Sequence, residues 1–325
     1  MRILTLDVDD VKKACPMDEC IEEMAKVFAL SGEGKTDSPL RSRLGVPLGD
    51  VLIMPAMALR ERAEGSVKVV SVFPKNRGVP STNAVTILVD GETGEPRSIL
   101  AGGALTAIRT GAVSGLSCRY LARSDSRVLG LFGSGGMAFQ QVSGVVSARR
   151  SIEEVRVFSL EPDRSKALAR ECGKSLGVKA RAVERAEDGV RGCDVVVTAT
   201  TSKTPVFDGS LVEDGTHVIA MGSYRPEARE LDSGLVSRSS IFVDSRKEVL
   251  EEAGDLLIPM KEGRISARSI KAELAELVSG KRKGRTSRSE VTLFKEVGLA
   301  LEDNAAGWLA YRNAQKMRVG AFVNL

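Results

Sequence analysis

Side chains that bind transition metals are scarce in this sequence. Its 325 residues include a single histidine, His217, and five cysteines with no C-x-x-C pair among them. Structural zinc sites use closely spaced cysteine and histidine ligands, and we therefore expect no metal site. An odd number of scattered cysteines is also not typical of a disulfide framework, which favours a reducing, cytoplasmic location.

Long apolar runs and a strong net charge are also missing. No segment approaches the roughly 18 apolar residues of a membrane helix, and the first stretch, MRILTLDVDDVKKA, lacks the apolar core of a signal peptide. A surplus of 47 Lys and Arg over 43 Asp and Glu gives a net charge of only +4. The most basic run, GKRKGRTSR at Gly280–Arg288, has no interleaved aromatic residue and predicts a solvated loop. We therefore expect neither a membrane nor a nucleic-acid partner, which leaves small acidic metabolites as candidate ligands.

The order of apolar segments predicts an α/β fold with two domains. Between Val51 and Val89, short apolar runs separated by turn-forming stretches indicate a strand-rich sheet, and DGETGEP is typical of a hairpin turn. From Asp125 onward, strands alternate with helices at the spacing of βαβ units, which predicts a Rossmann-type doubly wound parallel sheet. The last helix, LALEDNAAGWLAYRNAQK, is expected to return to the first domain. We place that domain at residues 1–124 and 300–325, and the parallel-sheet domain at residues 125–299.

A glycine-rich loop opens the parallel-sheet domain. It follows the apolar strand RVLGLF and fits the pattern G-x-G-x-x-A with Gly133, Ser134, Gly135, Gly136, Met137 and Ala138. In such loops the first glycine makes a tight turn, the second admits a pyrophosphate, and the small last residue lets the helix pack on the strand. The motif predicts an NAD or NADP site, with the pyrophosphate at the amino end of the following helix.

The next strands supply further cofactor candidates but leave the choice between NAD and NADP open. The second strand ends at Ser159, where NAD-selective sites usually have an acid. Glu161 could still reach the ribose, whereas Arg164 could bind a 2′-phosphate. His217 precedes its strand, away from the ligand crevice, and is expected to be structural. Since ligands bind at the carboxyl ends of parallel strands, the other candidates are Thr200, Thr201, Met221, Gly222 and Ser223.

Several stretches together resemble one family, that of ornithine cyclodeaminase, archaeal alanine dehydrogenase and mu-crystallin ketimine reductase. The resemblance covers nearly the whole chain and implies a homodimer, with a Rossmann domain inserted into an α+β domain for substrate binding and dimerisation. The stretches that carry it are PLR at Pro39–Arg41, MPA at Met54–Ala56, VKVV around Lys68, LTAIRTGA at Leu105–Ala112, the glycine loop, MGSYRPEARELD, GR in the basic loop, VTLFKEVGLALED and the final helix.

The resemblance also implies how the substrate is bound. In this family a cluster of cations holds the α-carboxylate, and the matching residues are Arg41, Lys68 and Arg109, with Thr110 as a cofactor contact. An arginine fork matches a carboxylate, and a lysine beside a C=N nitrogen can supply a proton, so Lys68 is the candidate catalytic residue. Without the resemblance, Arg41 and Arg109 would be interpreted as surface charges, and Lys68 could point either to water or into a cleft.

The turn after the strand HVIA separates the activities within the family. In the cyclodeaminases and in alanine dehydrogenases of this type it reads Gly-x-Asp-x-Pro-Gly, whereas Tyr224 replaces the acid here. A phenol with a pKa near ~10 is a poor base at neutral pH. The ketimine reductases also lack the acid, and this resemblance predicts an NAD(P)H-dependent reductase of a cyclic imino acid such as pyrroline- or piperideine-2-carboxylate, with Tyr224 beside the substrate. The alternatives are alanine dehydrogenase or ornithine cyclodeaminase activity, or a protein that only binds a dinucleotide or small ligand.

Overall fold

The chain divides into two compact units. A computed structural model describes residues 2–73 and 75–324. The first unit consists of Met1–Thr110 together with Leu299–Leu325, and the second of Gly111–Gly298. Each unit is built around one eight-stranded β-sheet. Within the described ranges, no helix is both long enough and apolar enough to span a bilayer.

Strands and helices follow one another along the chain with short connections. The first unit begins with β1 (Arg2–Leu6), α1 (Val8–Ala14), α2 (Met17–Gly32), β2 (Thr36–Asp37), β3 (Ser42–Val46), β4 (Gly49–Leu59), β5 (Ala63–Val72), β6 (Thr82–Asp90) and β7 (Pro96–Ala101). Then come α3 (Gly102–Leu121), β8 (Val128–Phe132), α4 (Ala138–Ala148), β9 (Glu154–Phe158), α5 (Pro162–Leu176), β10 (Lys179–Ala182), β11 (Val195–Thr198), β12 (His217–Ala220), α6 (Ser233–Arg238) and β13 (Ser240–Val243). The remaining elements are α7 (Arg246–Glu252), α8 (Gly254–Lys261), β14 (Ile270–Glu273), α9 (Leu274–Val278), β15 (Thr292–Lys295), α10 (Ala300–Met317) and β16 (Ala321–Asn324).

The sheet of the first unit is mostly antiparallel. Its strand order is β16-β1-β7-β6-β5-β4-β2, with β3 paired to β4, and β1 runs parallel to β7. Strand β4 buries alternate residues, among them Leu52, Met54 and Ala56, as expected for a strand with one face on a core. Helix α10 packs on β4, β5 and β6 and on α1 and α2, within the first unit as predicted. The DGETGEP stretch forms the predicted turn between antiparallel β6 and β7.

The sheet of the second unit is parallel throughout. Its order is β10-β9-β8-β11-β12-β15-β13-β14. Strands β11 and β12 are buried at every residue, which is typical of a sheet covered on both faces. Strand β8 has β9 on one side and β11 on the other, and doubly wound folds bind their ligands at this kind of switch in strand order. The parallel sheet, with a mixed sheet in the other unit, confirms the predicted fold class.

The unit boundaries differ from the predicted domain boundaries at one end. The first lies within α3, after Thr110, whereas the change in sequence pattern suggested Asp125. The reason is that α3 is one continuous helix, so its small apolar residues hide the change from one core to the other. The second boundary, before Leu299, lies one residue from the predicted position. Strand β16 was not predicted, and it pairs antiparallel with β1.

Candidate active site

Lys68 lies on the buried face of strand β5. It shares that face with Val70, and only 1% of Lys68 is exposed. Its neighbours across the sheet are Met54 on β4 and Thr86 on β6. A lysine is almost never fully buried unless its charge has a partner, so its position requires an anion nearby.

The anion is Asp303, in the first turn of α10. Lys68 Nζ lies 2.5 Å from Asp303 Oδ2, and neither side chain is more than 2% exposed. Asp303 Oδ1 accepts a hydrogen bond of 3.1 Å from Arg109 Nε of α3. The adjacent Glu302 accepts from Arg109 Nη1 at 2.5 Å. One carboxylate thus joins a lysine of the sheet to an arginine of a helix, and these four residues are called the Lys68 cluster.

Arg41 influences this cluster through its charge, whereas Thr110 is next to one of its residues in helix α3. Arg41 is half-buried, just before β3, and its charge is close enough to Lys68 to lower the pKa of the lysine. Thr110 follows Arg109 in α3, is 4% exposed, and donates its hydroxyl proton to the Thr106 carbonyl oxygen at 2.6 Å. Of the three predicted cations, the structure therefore joins Lys68 and Arg109 to one carboxylate and places Arg41 within electrostatic reach.

Burial and neighbouring charges together set the protonation of Lys68. The pKa of Lys68 falls from 10.5 to about 8, because burial and the charges of Arg109 and Arg41 outweigh the attraction of Asp303. Burial raises the pKa of Asp303, but Arg109 and Lys68 lower it by more, so the carboxylate stays ionised at neutral pH. The cluster therefore holds an ammonium group that can release its proton close to physiological pH, as a general acid must.

The glycine loop of the second unit has the geometry of a phosphate cradle. Gly133 has a φ of +110°, and a Cβ atom there would lie 2.4 Å from the Ala199 carbonyl oxygen, so only glycine fits. A Cβ atom at Gly135 or Gly136 would meet no atom within 4 Å, which leaves the loop backbone open to a ligand. Helix α4 begins directly afterwards without a side-chain cap for its first N–H groups. These features fit the pyrophosphate of a dinucleotide.

The residues expected at the adenine ribose lie beside this loop. Ser134 Oγ donates to Ser159 Oγ at 2.9 Å, and Arg164 donates to the Ser134 carbonyl oxygen at 3.0 Å. Arg164 also pairs with Glu161 at 2.9 Å, and both of these side chains are more than half exposed. The arrangement offers an acid for a ribose hydroxyl and an arginine for a 2′-phosphate, so it is compatible with both NAD and NADP.

Glu230 holds together the two loops that follow β11 and β12. Its carboxylate accepts hydrogen bonds from Thr198 Oγ1 at 2.9 Å, from Thr200 N and Oγ1 at 2.7 and 2.8 Å, and from Gly222 N at 2.7 Å. A Cβ atom on Gly222 would lie 2.1 Å from the Thr200 carbonyl oxygen, so the close approach requires glycine. Thr200 and Gly222 are thereby brought together, whereas Thr201 is exposed.

Lys295, the last residue of β15, fixes the second of these loops. Its Nζ donates to the Ser223 carbonyl oxygen at 2.6 Å and lies 3.0 Å from Asp255 Oδ2. Asp255 Oδ1 accepts from the backbone N–H groups of Glu230 and Leu231 at 2.7 and 3.0 Å. Burial and the charge of Asp255 raise the pKa of Glu230. Glu230, Asp255 and Lys295 are fully buried and are called the Glu230 cluster.

Comparison with known proteins assigns this architecture to a family. The sequence model of the ornithine cyclodeaminase/mu-crystallin family matches residues 2–318. The chain belongs to this family. A Δ1-pyrroline-2-carboxylate reductase from Bacillus cereus is 35% identical to it over 325 residues, which cover 98% of each chain. The family predicted from the sequence stretches is thus confirmed.

Two solved structures are similar to this chain over its whole length. The Δ1-pyrroline-2-carboxylate reductase of Thermococcus litoralis, in complex with NADH and L-proline, is 41% identical with a TM-score of 0.95, and the match covers 99% of this chain and 100% of that one. An archaeal alanine dehydrogenase dimer with bound NAD is 32% identical with a TM-score of 0.92, and the match covers 100% of both chains. The fold is therefore that of NAD-binding members of the family.

The turn after β12 carries Tyr224 near its centre. Tyr224 is half-buried and packs against the apolar core of the second unit, with the Arg225 guanidinium 5.8 Å from the centre of its ring. Met221, at the start of the turn, is half-buried, and Ser223 is buried. Glu227, the first acid after the strand, is 63% exposed and lies 3.9 Å from Arg225. The turn from Met221 to Pro226 therefore supplies no carboxylate.

His217 is enclosed by hydroxyl groups at the start of β12. Its ring nitrogens lie 3.2 Å from Ser117 Oγ and 2.9 Å from Thr292 Oγ1. Burial, with a contribution from Arg285, lowers the pKa of His217 to about 3, so the ring is neutral at physiological pH. Among residues 2–73 and 75–324, no three His, Cys, Asp or Glu side chains are grouped to hold a metal ion. The contacts of His217 agree with a structural role.

The basic run Gly280–Arg288 forms an irregular loop after α9, as predicted. Its residues Lys281, Arg282 and Lys283, together with cations from Arg246 to Lys271, line an open cleft of about 880 Å³. None of the predicted site residues lines this cleft. The loop is therefore separate from the predicted cofactor residues of the second unit.

Five charged residues that build the two clusters were given no role by sequence reasoning: Glu230, Asp255, Lys295, Glu302 and Asp303. Glu302 and Asp303 are adjacent acids in a helix that is otherwise largely apolar and buried, but acids in a first turn are common because they complement the helix dipole. Lys295 interrupts the apolar run VTLFKEV, which is the signal of a buried cation. Glu230 lies in the RELD stretch, where nothing in the local pattern distinguishes a buried acid from an exposed one.

Proposed function

We propose that this protein is an NADH- or NADPH-dependent reductase that converts a small cyclic imino acid into the L-amino acid. The substrate is of the pyrroline-2-carboxylate or piperideine-2-carboxylate type. The observation that carries the proposal is the buried ammonium group of Lys68, held by Asp303 beside Arg109. Such a substrate needs a cation for its carboxylate and a proton for its ring nitrogen, and this cluster offers both. Two similar proteins named Δ1-pyrroline-2-carboxylate reductase, one of them solved with NADH and L-proline, support the same choice.

The cations of the first unit have separate tasks in this reaction. Arg109 and Arg41 bind the substrate carboxylate, because a guanidinium group forms charge-assisted hydrogen bonds with a planar carboxylate. Lys68 donates a proton to the ring nitrogen as the C=N bond becomes a single bond. The reduced nicotinamide, when bound, supplies the hydride to the ring carbon. Lys68 is left as a neutral amine and regains its proton from solvent.

The second unit is proposed to hold the cofactor. The loop Gly133–Ala138 and the amino end of α4 bind the pyrophosphate, and Ser159, Glu161 and Arg164 contact the adenine ribose. The further contacts proposed from the sequence are Thr110, Thr200, Thr201, Met221, Gly222 and Ser223. Glu161 would favour NADH and Arg164 would favour NADPH, and the two side chains lie together. Turnover measured with each cofactor distinguishes the two.

Reduction is favoured over deamination by the turn after β12. Base-assisted deamination needs a carboxylate where Tyr224 stands, and a phenol is a poor base at neutral pH. Imine reduction needs only a proton donor for nitrogen, a role that Lys68 fills. Tyr224 is proposed to shape the substrate site without proton transfer.

We further propose that the protein is a cytoplasmic homodimer. Scattered cysteines, all five of them buried and free, agree with a reducing compartment. The similar archaeal alanine dehydrogenase is a dimer. Light scattering after size-exclusion chromatography tests the dimer, and a mass of one chain across the working concentration range would reject it.

The activity is tested by following oxidation of reduced nicotinamide with pyrroline-2-carboxylate and with piperideine-2-carboxylate, each with NADH and with NADPH. Proline or pipecolate of L configuration is the expected product. Pyruvate with ammonia and ornithine serve as competing substrates in the same assay. Faster turnover of pyruvate with ammonia would indicate an alanine dehydrogenase, and proline with ammonia formed from ornithine would indicate a cyclodeaminase. Quenching of protein fluorescence by reduced nicotinamide without turnover of any substrate would indicate a protein that only binds its ligands.

A further inference from the structure

The Lys68 cluster brings buried positive charges close together. Lys68 is 1% exposed and Arg109 is 5% exposed, and both approach the same small carboxylate group. Like charges repel strongly when water is excluded, and a buried lysine escapes the repulsion by losing its proton. An enzyme that uses Lys68 as a proton donor must prevent that loss.

Each carboxylate oxygen of Asp303 contacts a different one of these two cations. Oδ2 lies 2.5 Å from Lys68 Nζ, and Oδ1 accepts from Arg109 Nε at 3.1 Å. The carboxylate therefore fixes the position of both groups as well as offsetting their charge. Glu302, by contrast, accepts a hydrogen bond from Arg109 Nη1, at the other end of the guanidinium group from the Asp303 contact.

We propose that Asp303 is a positioning residue that keeps Lys68 as an ammonium group and holds it beside Arg109, so that one imino acid can meet both. The inference deepens the proposed function and rests on it for the identity of the substrate. Asp303 does not itself touch the substrate or exchange protons with it. Its effect passes through Lys68 and Arg109.

The surroundings of Lys68 agree with this role. The charged groups that act on it are Asp303 from α10, Arg109 from α3 and Arg41 from the segment before β3. The facing residues of β4 and β6 are Met54 and Thr86, which do not titrate near neutral pH. Burial, Arg109 and Arg41 all lower the pKa of Lys68, and the charge of Asp303 raises it. Asp303 thus stabilises the charged form that a proton donor needs.

The direct test is a titration of Lys68 in the free protein. The protein is labelled with ¹³C at the lysine ε carbons, and the Lys68 resonance is assigned by its absence in Lys68→Met. The wild-type midpoint is expected at the pKa of about 8. Asp303→Asn keeps the size and one acceptor oxygen but removes the charge, and it should lower the midpoint by about 1–3 pH units. Glu302→Gln is the matched control, since it neutralises the adjacent carboxylate, and its midpoint should stay close to that of the wild type.

Kinetics supply a second readout. A lower Lys68 pKa makes Asp303→Asn most defective at alkaline pH, so its kcat relative to wild type should recover about five-fold to fifty-fold between pH 8 and pH 6. Glu302→Gln should instead raise KM by a similar factor at both pH values. An equal fractional loss in Asp303→Asn at every pH would mean a merely structural role and would overturn the inference.

An unchanged Lys68 midpoint in folded Asp303→Asn would also overturn it. Asp303→Ser, which removes the charge and leaves room for a water molecule, gives the same test if the asparagine variant does not fold. Failure of both variants to fold would count against the inference, because it would assign Asp303 to the stability of the core. The titration needs no substrate, so a protein without imine reductase activity would disprove the proposed function while the shift of the Lys68 midpoint still decides this inference.

Discussion

The Lys68 cluster of the first unit and the Glu230 cluster of the second are made of the same kinds of side chain. They differ in the partners of their hydrogen bonds. In the Lys68 cluster the bonds run between side chains, and two cations share one carboxylate. In the Glu230 cluster the carboxylates accept mainly from backbone N–H groups and threonine hydroxyls of the loops around them. Under the proposed function the first arrangement passes a proton to the substrate, whereas the hydrogen bonds of the second fix the conformation of the loops after β11 and β12. We therefore propose that buried charge serves the reaction in the first unit and loop geometry in the second.

The sharpest way to test this contrast is to remove the lysine of each cluster. Lys68→Met should lower kcat for imine reduction by about 10²–10⁴-fold, which is the usual contribution of a positioned proton donor. We expect kcat of the wild type to fall as the pH rises through the Lys68 pKa of about 8. The remaining activity of Lys68→Met should not show this decrease. Steady-state kinetics from pH 6 to pH 10 measure both effects, with Lys35→Met on the surface as the control. Wild-type kcat in Lys68→Met would remove this lysine from the chemistry.

Lys295→Met should act on stability instead. It leaves Asp255 buried without its counter-charge, which should cost about 3–5 kcal/mol of unfolding free energy. Adding Asp255→Asn removes the stranded charge and keeps an acceptor for the N–H groups of Glu230 and Leu231, so the double variant should regain much of the loss. Urea denaturation measures these differences. Lys271→Met is the control, because the side chain of Lys271 is 52% exposed and its ion pair with Glu290 should be worth about 1 kcal/mol or less.

A variant of Arg41 tests whether this residue acts together with the Lys68 cluster. Arg41→Ala should raise KM for the imino acid by about ten-fold to a hundred-fold, since a charge-assisted contact is worth about 1.5–3 kcal/mol. Stability should change little because Arg41 is only half-buried. Arg43, two residues further on, pairs with Asp50 at 2.8 Å and offers a matched control. Equal increases in KM for Arg41→Ala and Arg43→Ala would restrict the cluster to its four buried residues.

The smallest effect is expected at Tyr224, in the loop that Lys295 fixes. Tyr224→Phe keeps the ring that packs on the core and removes only the hydroxyl group. Imine reduction should therefore stay within about three-fold of wild type, since no proton passes through the phenol. A loss of about a hundred-fold in kcat would show that the turn takes part in proton transfer and would end the contrast between the two units.

Elements with a local signature could be predicted from the sequence, and contacts between distant residues could not. Gly133 could be identified as a tight turn because strand, glycine and helix follow one another directly. The DGETGEP hairpin is equally local. Asp303, however, contacts Arg109, which is 194 residues away in the sequence. The periodicity of apolar residues does not predict on which face of a sheet a given helix will pack. The first-turn acids of α10 also have an ordinary explanation in the helix dipole, so nothing marked one of them as the partner of Lys68.

The roles of individual site residues depended on knowledge of the family. A lysine in the strand SVKVV fits an exposed or a buried position equally well by pattern alone. What decided between them is the inward register of β5, set by its pairing with β4 and β6. The predicted boundary at Asp125 lies beyond the division within α3 for a related reason, since one continuous helix shows no break in its sequence.

The position of α10 in the chain has a consequence for biosynthesis. Lys68 and Arg109 leave the ribosome early, the whole of Gly111–Gly298 follows, and Asp303 emerges only afterwards. The second unit is one uninterrupted segment and can fold while translation continues, whereas the first waits for its last helix. Until then Lys68 on β5 and Arg109 on α3 lack their carboxylate partner, which disfavours premature closure of that core. Translation that stops before α10 would thus yield a folded second unit attached to an unfinished first unit, a species that quality-control proteases can distinguish from the complete chain.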